Sequence, residues 1–227
     1  MKLYKKEKYQ DKKSWLSARA IGGSSASALL DANPYQTKLD IYCAIVNPKE
    51  DKEQKDNVNT LYGVALEPII RASVKENFKN KFKTQSPNGW TMYRRKDKPF
   101  MTATIDGLMT SLTDHKERWV LEIKTHDVRG NEDRQEWEGR IPQNYFIQCL
   151  HYLAVMNDVR GVLLVAKLRY VNYDTDEVYK EEIIYSKIER SAFEKDIAYL
   201  EQVETDFWEN NIGKRIPPTI SIPIMED

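Results

Sequence analysis

Three side chains near the middle of the sequence stand out by chemical type and position. Glu122 and Lys124 lie two apart in Trp119-Val-Leu-Glu-Ile-Lys124, and Asp106 lies in Thr102-Ala-Thr-Ile-Asp-Gly-Leu108. Alternate side chains of a strand share a face, so Trp119, Leu121 and Ile123 point one way and Val120, Glu122 and Lys124 the other. A carboxylate and an ammonium in a strand with apolar flanks are costly unless they pair or bind something. The pattern acid-x-Lys alone says little. It occurs five times, at Asp11/Lys13, Glu50/Lys52, Glu53/Lys55, Asp114/Lys116 and Glu122/Lys124. Only the last lies in an apolar strand. If a strand over 100–110 pairs antiparallel with one over 119–125, Asp106 comes beside Glu122. Two carboxylates facing one lysine suit a hard divalent cation with oxygen ligands, Mg²⁺ above all. Such a cation binds a phosphate oxygen and lowers the pKa of a water, and Lys124 would orient that water or stabilise developing charge. The chemistry is phosphodiester hydrolysis; a structural ion pair within a sheet is the competing reading.

Periodicity and turn residues supply the elements that must hold this set. A short helix over 14–19 stops at Gly22-Gly23. Ser24 and Ser25 offer an N-cap for a second helix, ended by Asn33-Pro34, and Thr37 caps a third with Leu39, Tyr42, Cys43 and Val46 on its apolar face. A polar connection covers 51–59. A helical pattern over 58–78 contains Pro68, which predicts a kink or a start near Glu67. Strands over 81–86 and 90–95 flank Pro87-Asn88-Gly89, a hairpin-type turn. Beyond the central pair come an amphipathic helix over 143–156, with Tyr145, Gln148 and Tyr152 on one face, and strands over 162–170 and 177–185. Phe193, Ile197, Leu200, Val203 and Phe207 mark a last helix, and Pro217-Pro218 begin an extended tail. The order predicts an α/β or α+β fold around one mixed sheet. With no repeat or convincing linker, 1–227 reads as a single domain.

Composition narrows the function. Lys plus Arg and Asp plus Glu are each 35 in 227 residues, so the chain is formally neutral. Neutrality hides segregation: residues 1–19 carry seven bases and two acids, residues 75–98 eight bases and two acids, and residues 181–209 nine acids and three bases. Basic blocks bind nucleic-acid phosphates if the fold brings them to one groove; the acidic segment reads as the outer face of a helix. Thirteen Tyr and five Trp argue against disorder. The best apolar run, Gly161-Val-Leu-Leu-Val-Ala166, is a strand rather than a membrane span. The amino-terminal residues lack an apolar signal core, so a reducing cytoplasm is expected. Cys43 and Cys149 exclude a four-Cys zinc site or an iron–sulphur cluster within the chain, and Cys149 reads as a packing thiol. His115, His126 and His151 have no ligand spacing and read as surface or packing residues.

Six motifs occur in an order that resembles the lambda-exonuclease-like, YqaJ-type viral recombinase family of the PD-(D/E)XK nuclease superfamily. They are Ile21-Gly-Gly-Ser24, Asn33-Pro-Tyr35, Gly63-x-x-Leu-Glu-Pro68, Thr104-Ile-Asp-Gly107, Leu121-Glu-Ile-Lys-Thr125 and Ile141-Pro-x-x-Tyr-x-x-Gln148. The likeness covers about residues 14–170 and departs at the usual Pro-Asp, which reads Ile105-Asp106. It implies a restriction-endonuclease-like core, a central mixed sheet flanked by helices. It also implies Mg²⁺, with Mn²⁺ able to substitute, held by Asp106, Glu122, the Ile123 carbonyl and, near a second metal, Glu67. Lys124 is then the catalytic lysine, assisted by Gln148, and Arg19, Ser24 and Thr104 form a pocket for a 5′-terminal phosphate. The implied activity is 5′-to-3′ exonucleolytic digestion of duplex DNA ends, leaving a 3′ overhang. A ring-shaped homotrimer, a single-strand annealing protein as partner, and a phage or prophage source acting in the bacterial cytoplasm come with it. Glu67 could instead serve the helix dipole and Ser24 only cap a helix. A RecB- or Cas4-like nuclease and an inactive DNA-end-binding module are the alternative functions.

Overall fold

A computed structural model describes residues 2–48 and 58–219. Its larger sheet has the order β2 (Phe82–Gln85), β5 (Gly107–Ser111), β6 (Arg118–Val128), β7 (Gly161–Val171) and β8 (Val178–Glu189). Only β6 and β7 run parallel, so the sheet is mixed. A parallel neighbour needs a crossover, and α5 (Gly130–Trp137) and α6 (Gln143–Val155) provide it. A smaller antiparallel sheet has the order β1 (Tyr4–Tyr9), β3 (Trp90–Arg95) and β4 (Thr102–Ala103). The remaining helices are α1 (Lys12–Ala18), α2 (Gly23–Leu29), α3 (Lys38–Val46), α4 (Val58–Phe78) and α7 (Glu194–Phe207).

The alternation of β6 builds two cores. Trp119, Leu121 and Ile123 pack with Ile70 and Val74 of α4. Val120 faces the opposite way, into a larger cluster with Ile147, Leu150 and Leu153 of α6 and Ala26 and Leu29 of α2. Each such buried aliphatic side chain contributes roughly 1.5–3 kcal/mol, so the strand's facing is strongly fixed. Glu122 and Lys124 therefore emerge on the α6 side. Among the described residues no helix is long and apolar enough to cross a membrane.

Several expectations change in detail. Residues 82–85 and 90–95 are strands, but not a hairpin: the first pairs with β5 and the second with β1 and β4. Pro87-Asn88-Gly89 thus carries the chain between sheets. The anticipated strand over 100–110 is likewise divided, its first part in the small sheet and its last in the large one. The β1 strand is not evident in the sequence, because YKKEKY has too few apolar positions to show a period; its partner β3 supplies the buried side. Helix α4 runs through Pro68 without restarting at Glu67. The exposed position leaves the unpaired carbonyl one turn earlier accessible to water. Thr37 caps α3 through a capping box with Asp40, yet the buried residues are Ile41 and Tyr42, and Cys43 is exposed. Gly22, not Ser24, occupies the N-cap of α2. The connection over 51–59 falls largely, and the tail beyond Thr219 wholly, outside the described residues.

Candidate active site

The chain crosses between the two sheets at Thr104–Asp106, and a cavity of about 720 Å³ opens at that seam. Antiparallel pairing of β5 with β6 places Gly107 opposite Leu121, so Asp106 arrives beside Glu122 and Ile123. The Ile123 amide donates to Asp106 Oδ2 at 2.7 Å, and the Asp106 amide donates to the Leu121 carbonyl at 3.2 Å. Lys124 Nζ lies 2.8 Å from Glu122 Oε1 and 5.0 Å from the centre of the Tyr145 ring. Gln148 donates from Nε2 to Glu122 Oε1 at 2.7 Å and to the Tyr152 hydroxyl at 2.6 Å, using both amide hydrogens. Asp106, Glu122, Lys124 and Gln148 all line the one cavity, as do Ile123, Glu67, Arg19, Ser24 and Thr104.

Electrostatics sets this cluster apart. Burial, reinforced by the negative charge of Glu122, pushes the Asp106 carboxyl up to about 7. Burial opposes the charge on Lys124, but Glu122 beside it outweighs that and holds the ammonium above its ordinary range. Glu122 Oε2 is buried and has no hydrogen-bond partner. An orphaned carboxylate oxygen next to a second carboxylate, with one ammonium between two acids, is the environment a divalent cation would neutralise. The donors are hard oxygens, as Mg²⁺ requires. Among the described residues no three His, Cys, Asp or Glu side chains gather closely enough to hold an ion. Mg²⁺ commonly uses one or two carboxylates and completes its shell with water and phosphate oxygens, so Asp106 and Glu122 fit it without a third acid.

Glu67 reaches the cavity because Gly63, one turn earlier, lets α4 press against β6: a Cβ there would sit 2.9 Å from Thr125 Oγ1. Its carboxylate is engaged by Arg71, whose Nε donates to the Asp106 carbonyl at 2.7 Å. Arg71 thus ties the helix to the seam. Sequence reasoning missed this role, although the i,i+4 spacing from Glu67 signals the pair. Tyr152, which the sequence places on the same helix face as Gln148, joins the cluster as well. Its phenol accepts from Gln148 and lines the cavity, and burial keeps it protonated.

Arg19, in the lining of the same cavity, stands over the Trp15 ring at 5.0 Å. Among the described residues its guanidinium has no acidic partner, and burial lowers its pKa. Ser24 is exposed in the first turn of α2, and Thr104 lies in the seam. The three side chains supply one positive charge and two hydroxyls to the lining of the cavity, a combination suited to an anion. His115 and His126 lie outside this cavity, as does His151. His151 is fully buried between Glu204 Oε1, at 2.7 Å, and the Thr102 carbonyl, at 2.8 Å. The acidic carboxy-terminal segment is accordingly not all outer surface: Glu204 is buried and Glu201 pairs with Arg95 and Lys98.

A central mixed sheet flanked by helices is shared with known proteins. Residues 14–158 match the YqaJ-like viral recombinase domain, and the chain belongs to that family. The uncharacterized protein YqaJ of Bacillus subtilis (strain 168) is 23% identical over 201 residues, covering 87% of this chain and 56% of that protein. The chain therefore spans little more than half the length of this relative. Among solved structures, LHK-Exo, an alkaline exonuclease from Laribacter hongkongensis, in complex with dAMP superposes with a TM-score of 0.51 at 14% identity, covering 89% of this chain and 98% of that one. A phage-related exonuclease from Haemophilus somnus 129PT gives 0.52 at 12% identity, covering 86% and 96%. The fold is thus one that nucleases use.

Proposed function

We propose that the protein is a Mg²⁺-dependent exonuclease that digests duplex DNA from 5′ ends and leaves 3′ single strands. The observation that carries this reading is one cavity lined both by Arg19, which has no acidic partner among the described residues, and by the Asp106–Glu122–Lys124 cluster. A phosphate on Arg19, Ser24 and Thr104 would fix a strand end, and the cluster would then meet the next phosphodiester. Mg²⁺, held by Asp106 and Glu122 with the Ile123 carbonyl, would make a water nucleophilic and draw charge from the phosphate; Mn²⁺ would substitute, and Glu67 would join a second ion only by leaving Arg71. Lys124, kept protonated by Glu122, supplies positive charge to the transition state rather than taking a proton. Gln148 orients Glu122, and Tyr152 orients Gln148. We read residues 1–227 as one nuclease unit that works in the bacterial cytoplasm for a phage or prophage. It would act as a ring-shaped trimer with a single-strand annealing protein.

Linear duplexes carrying either a 5′ phosphate or a 5′ hydroxyl, incubated with Mg²⁺ or EDTA, test the proposal by end-resolved product analysis. Release of 5′-mononucleotides from phosphorylated ends, only with Mg²⁺, is expected, and Arg19→Ala should abolish the preference for phosphorylated ends. Products from the 3′ end would reverse the polarity. Cleavage of closed circles would make the protein an endonuclease, and binding without digestion would make it an end-binding module.

A further inference from the structure

The catalytic cavity does not stop at Lys124. Tyr35 and Thr125 also line a second cleft of about 250 Å³, which follows β6 past His126 and Asp127 to Arg169 of β7. Charge in this cleft is already matched. Arg169 makes two bonds to Asp127, at 2.6 and 2.7 Å, Arg129 pairs with Asp176 at 2.5 Å, and His126 with Asp133 at 2.7 Å. Little is left to attract a phosphate. What the cleft offers is aromatic surface: Tyr62 of α4, backed by the Arg169 guanidinium 3.8 Å from its ring centre, Tyr145 of α6, and Tyr35.

Tyr35 has no structural task of its own. The residue is 78% exposed and its hydroxyl makes no hydrogen bond among the described residues. Its loop is nevertheless pinned. Asn33 Oδ1 accepts from the Tyr35 and Gln36 amides at 2.8 and 3.1 Å, and Asn33 Nδ2 donates to the Ser24 carbonyl at 2.8 Å. The ring is thereby referenced to α2, the helix that carries Ser24. An aromatic ring on a fixed backbone at the junction of two cavities is placed to stack, and every base offers it a π-face.

We propose that Tyr35 and Tyr62 form a stacking site for a nucleobase, that of the nucleotide lying beyond the scissile phosphate from Arg19. The inference rests on the nuclease reading and adds to it a sequence-tolerant grip on the strand that remains after each cut. Stacking without hydrogen-bonded readout suits an enzyme that must accept all four bases in turn.

The test uses the full chain and a 5′-phosphorylated duplex with 2-aminopurine as the second nucleotide from that end. In the Asp106→Asn protein, binding should quench the probe. Adding Tyr35→Ala should weaken binding about tenfold and abolish the quench, whereas Tyr35→Phe keeps both. Tyr62→Ala should act in the same direction. In the cleaving protein, Tyr35→Ala should raise KM by about the same factor. The exposed position of Tyr35 leaves the fold intact, which circular dichroism checks. Cleavage by the parent protein with affinity, quench and KM all unchanged in Tyr35→Ala overturns the stacking site alone. A parent that neither cuts nor binds DNA overturns the nuclease reading and the stacking site with it.

Discussion

Asp106 and Glu122 form a pair whose charge the folded chain only partly offsets. Asp106 is displaced upward from 3.8 to about 7. The folded state therefore holds this proton more tightly than the unfolded chain does. Metal-free stability from this group is greatest below about pH 4 and declines as pH rises to 7, by at most on the order of 4 kcal/mol. At pH 8 without divalent cation, Asp106→Asn should melt at a higher temperature than the parent, and both Asp106→Asn and Glu122→Gln should lose cleavage. Mg²⁺ should raise the melting temperature of the parent and not of the variants, in differential scanning calorimetry. Equal melting with and without Mg²⁺ would detach the pair from metal binding. Lys124 plays a different part. Its 2.8 Å approach to Glu122 keeps it charged. Lys124→Ala should reduce turnover by roughly 10²-fold with DNA affinity largely retained, as when one transition-state donor is lost. A single-turnover assay under saturating enzyme separates the two effects, and a loss confined to affinity would reduce Lys124 to a phosphate-binding role.

Elements position these residues through a buried polar tie between α6, α7 and β4. His151 faces Glu204 on one nitrogen and the Thr102 carbonyl on the other. Burial disfavours the imidazolium, but Glu204 and the carbonyl prevail and raise the His151 pKa. Because the folded value exceeds the unfolded one, the stabilisation is complete below pH 6.5 and disappears as pH climbs through the folded value. His151→Phe should cost about 3–5 kcal/mol in urea denaturation by leaving Glu204 buried and unpaired, and adding Glu204→Leu should recover most of it. Failure of the second change to restore stability would assign the loss to packing instead. This tie was not legible in the sequence, where a lone histidine and an acid 53 residues away carry no common signal. The acid pair was legible because it depends on one local pairing, β5 with β6, across a short polar turn. The Thr37 cap was legible for the same reason, since its partner Asp40 is three residues away. The false hairpin at Pro87-Asn88-Gly89 shows where local reading ends. Two adjacent strands look paired in sequence, but β3 finds its partner in β1, some eighty residues earlier, and only the shared core decides between them.

At the scale of the molecule, the β1–β3 pairing also decides where positive charge collects. It sets Lys5 opposite Arg94 and Lys8 opposite Thr91, joining the two basic stretches that the sequence keeps far apart. Part of that charge is taken up internally: Glu7 pairs with Lys5 at 2.8 Å and Arg94 at 2.9 Å, and Glu201 of α7 holds Arg95 and Lys98. Lys8, Lys12 and Lys13 remain exposed. The last two open α1, the same helix whose Trp15 lines the Asp106–Glu122 cavity and meets Trp90 of β3 at 5.4 Å. A duplex entering toward Arg19 from this side would pass the three lysines first. Replacing all three by Gln should weaken duplex binding and lower the slope of log affinity against log salt by about 0.9 for each phosphate no longer neutralised, with turnover at saturating DNA unchanged. Filter-binding titrations from low to moderate salt measure both quantities. An unaltered slope would mean that the duplex approaches over another surface, and the convergence of the basic strands would then serve solubility and not recognition.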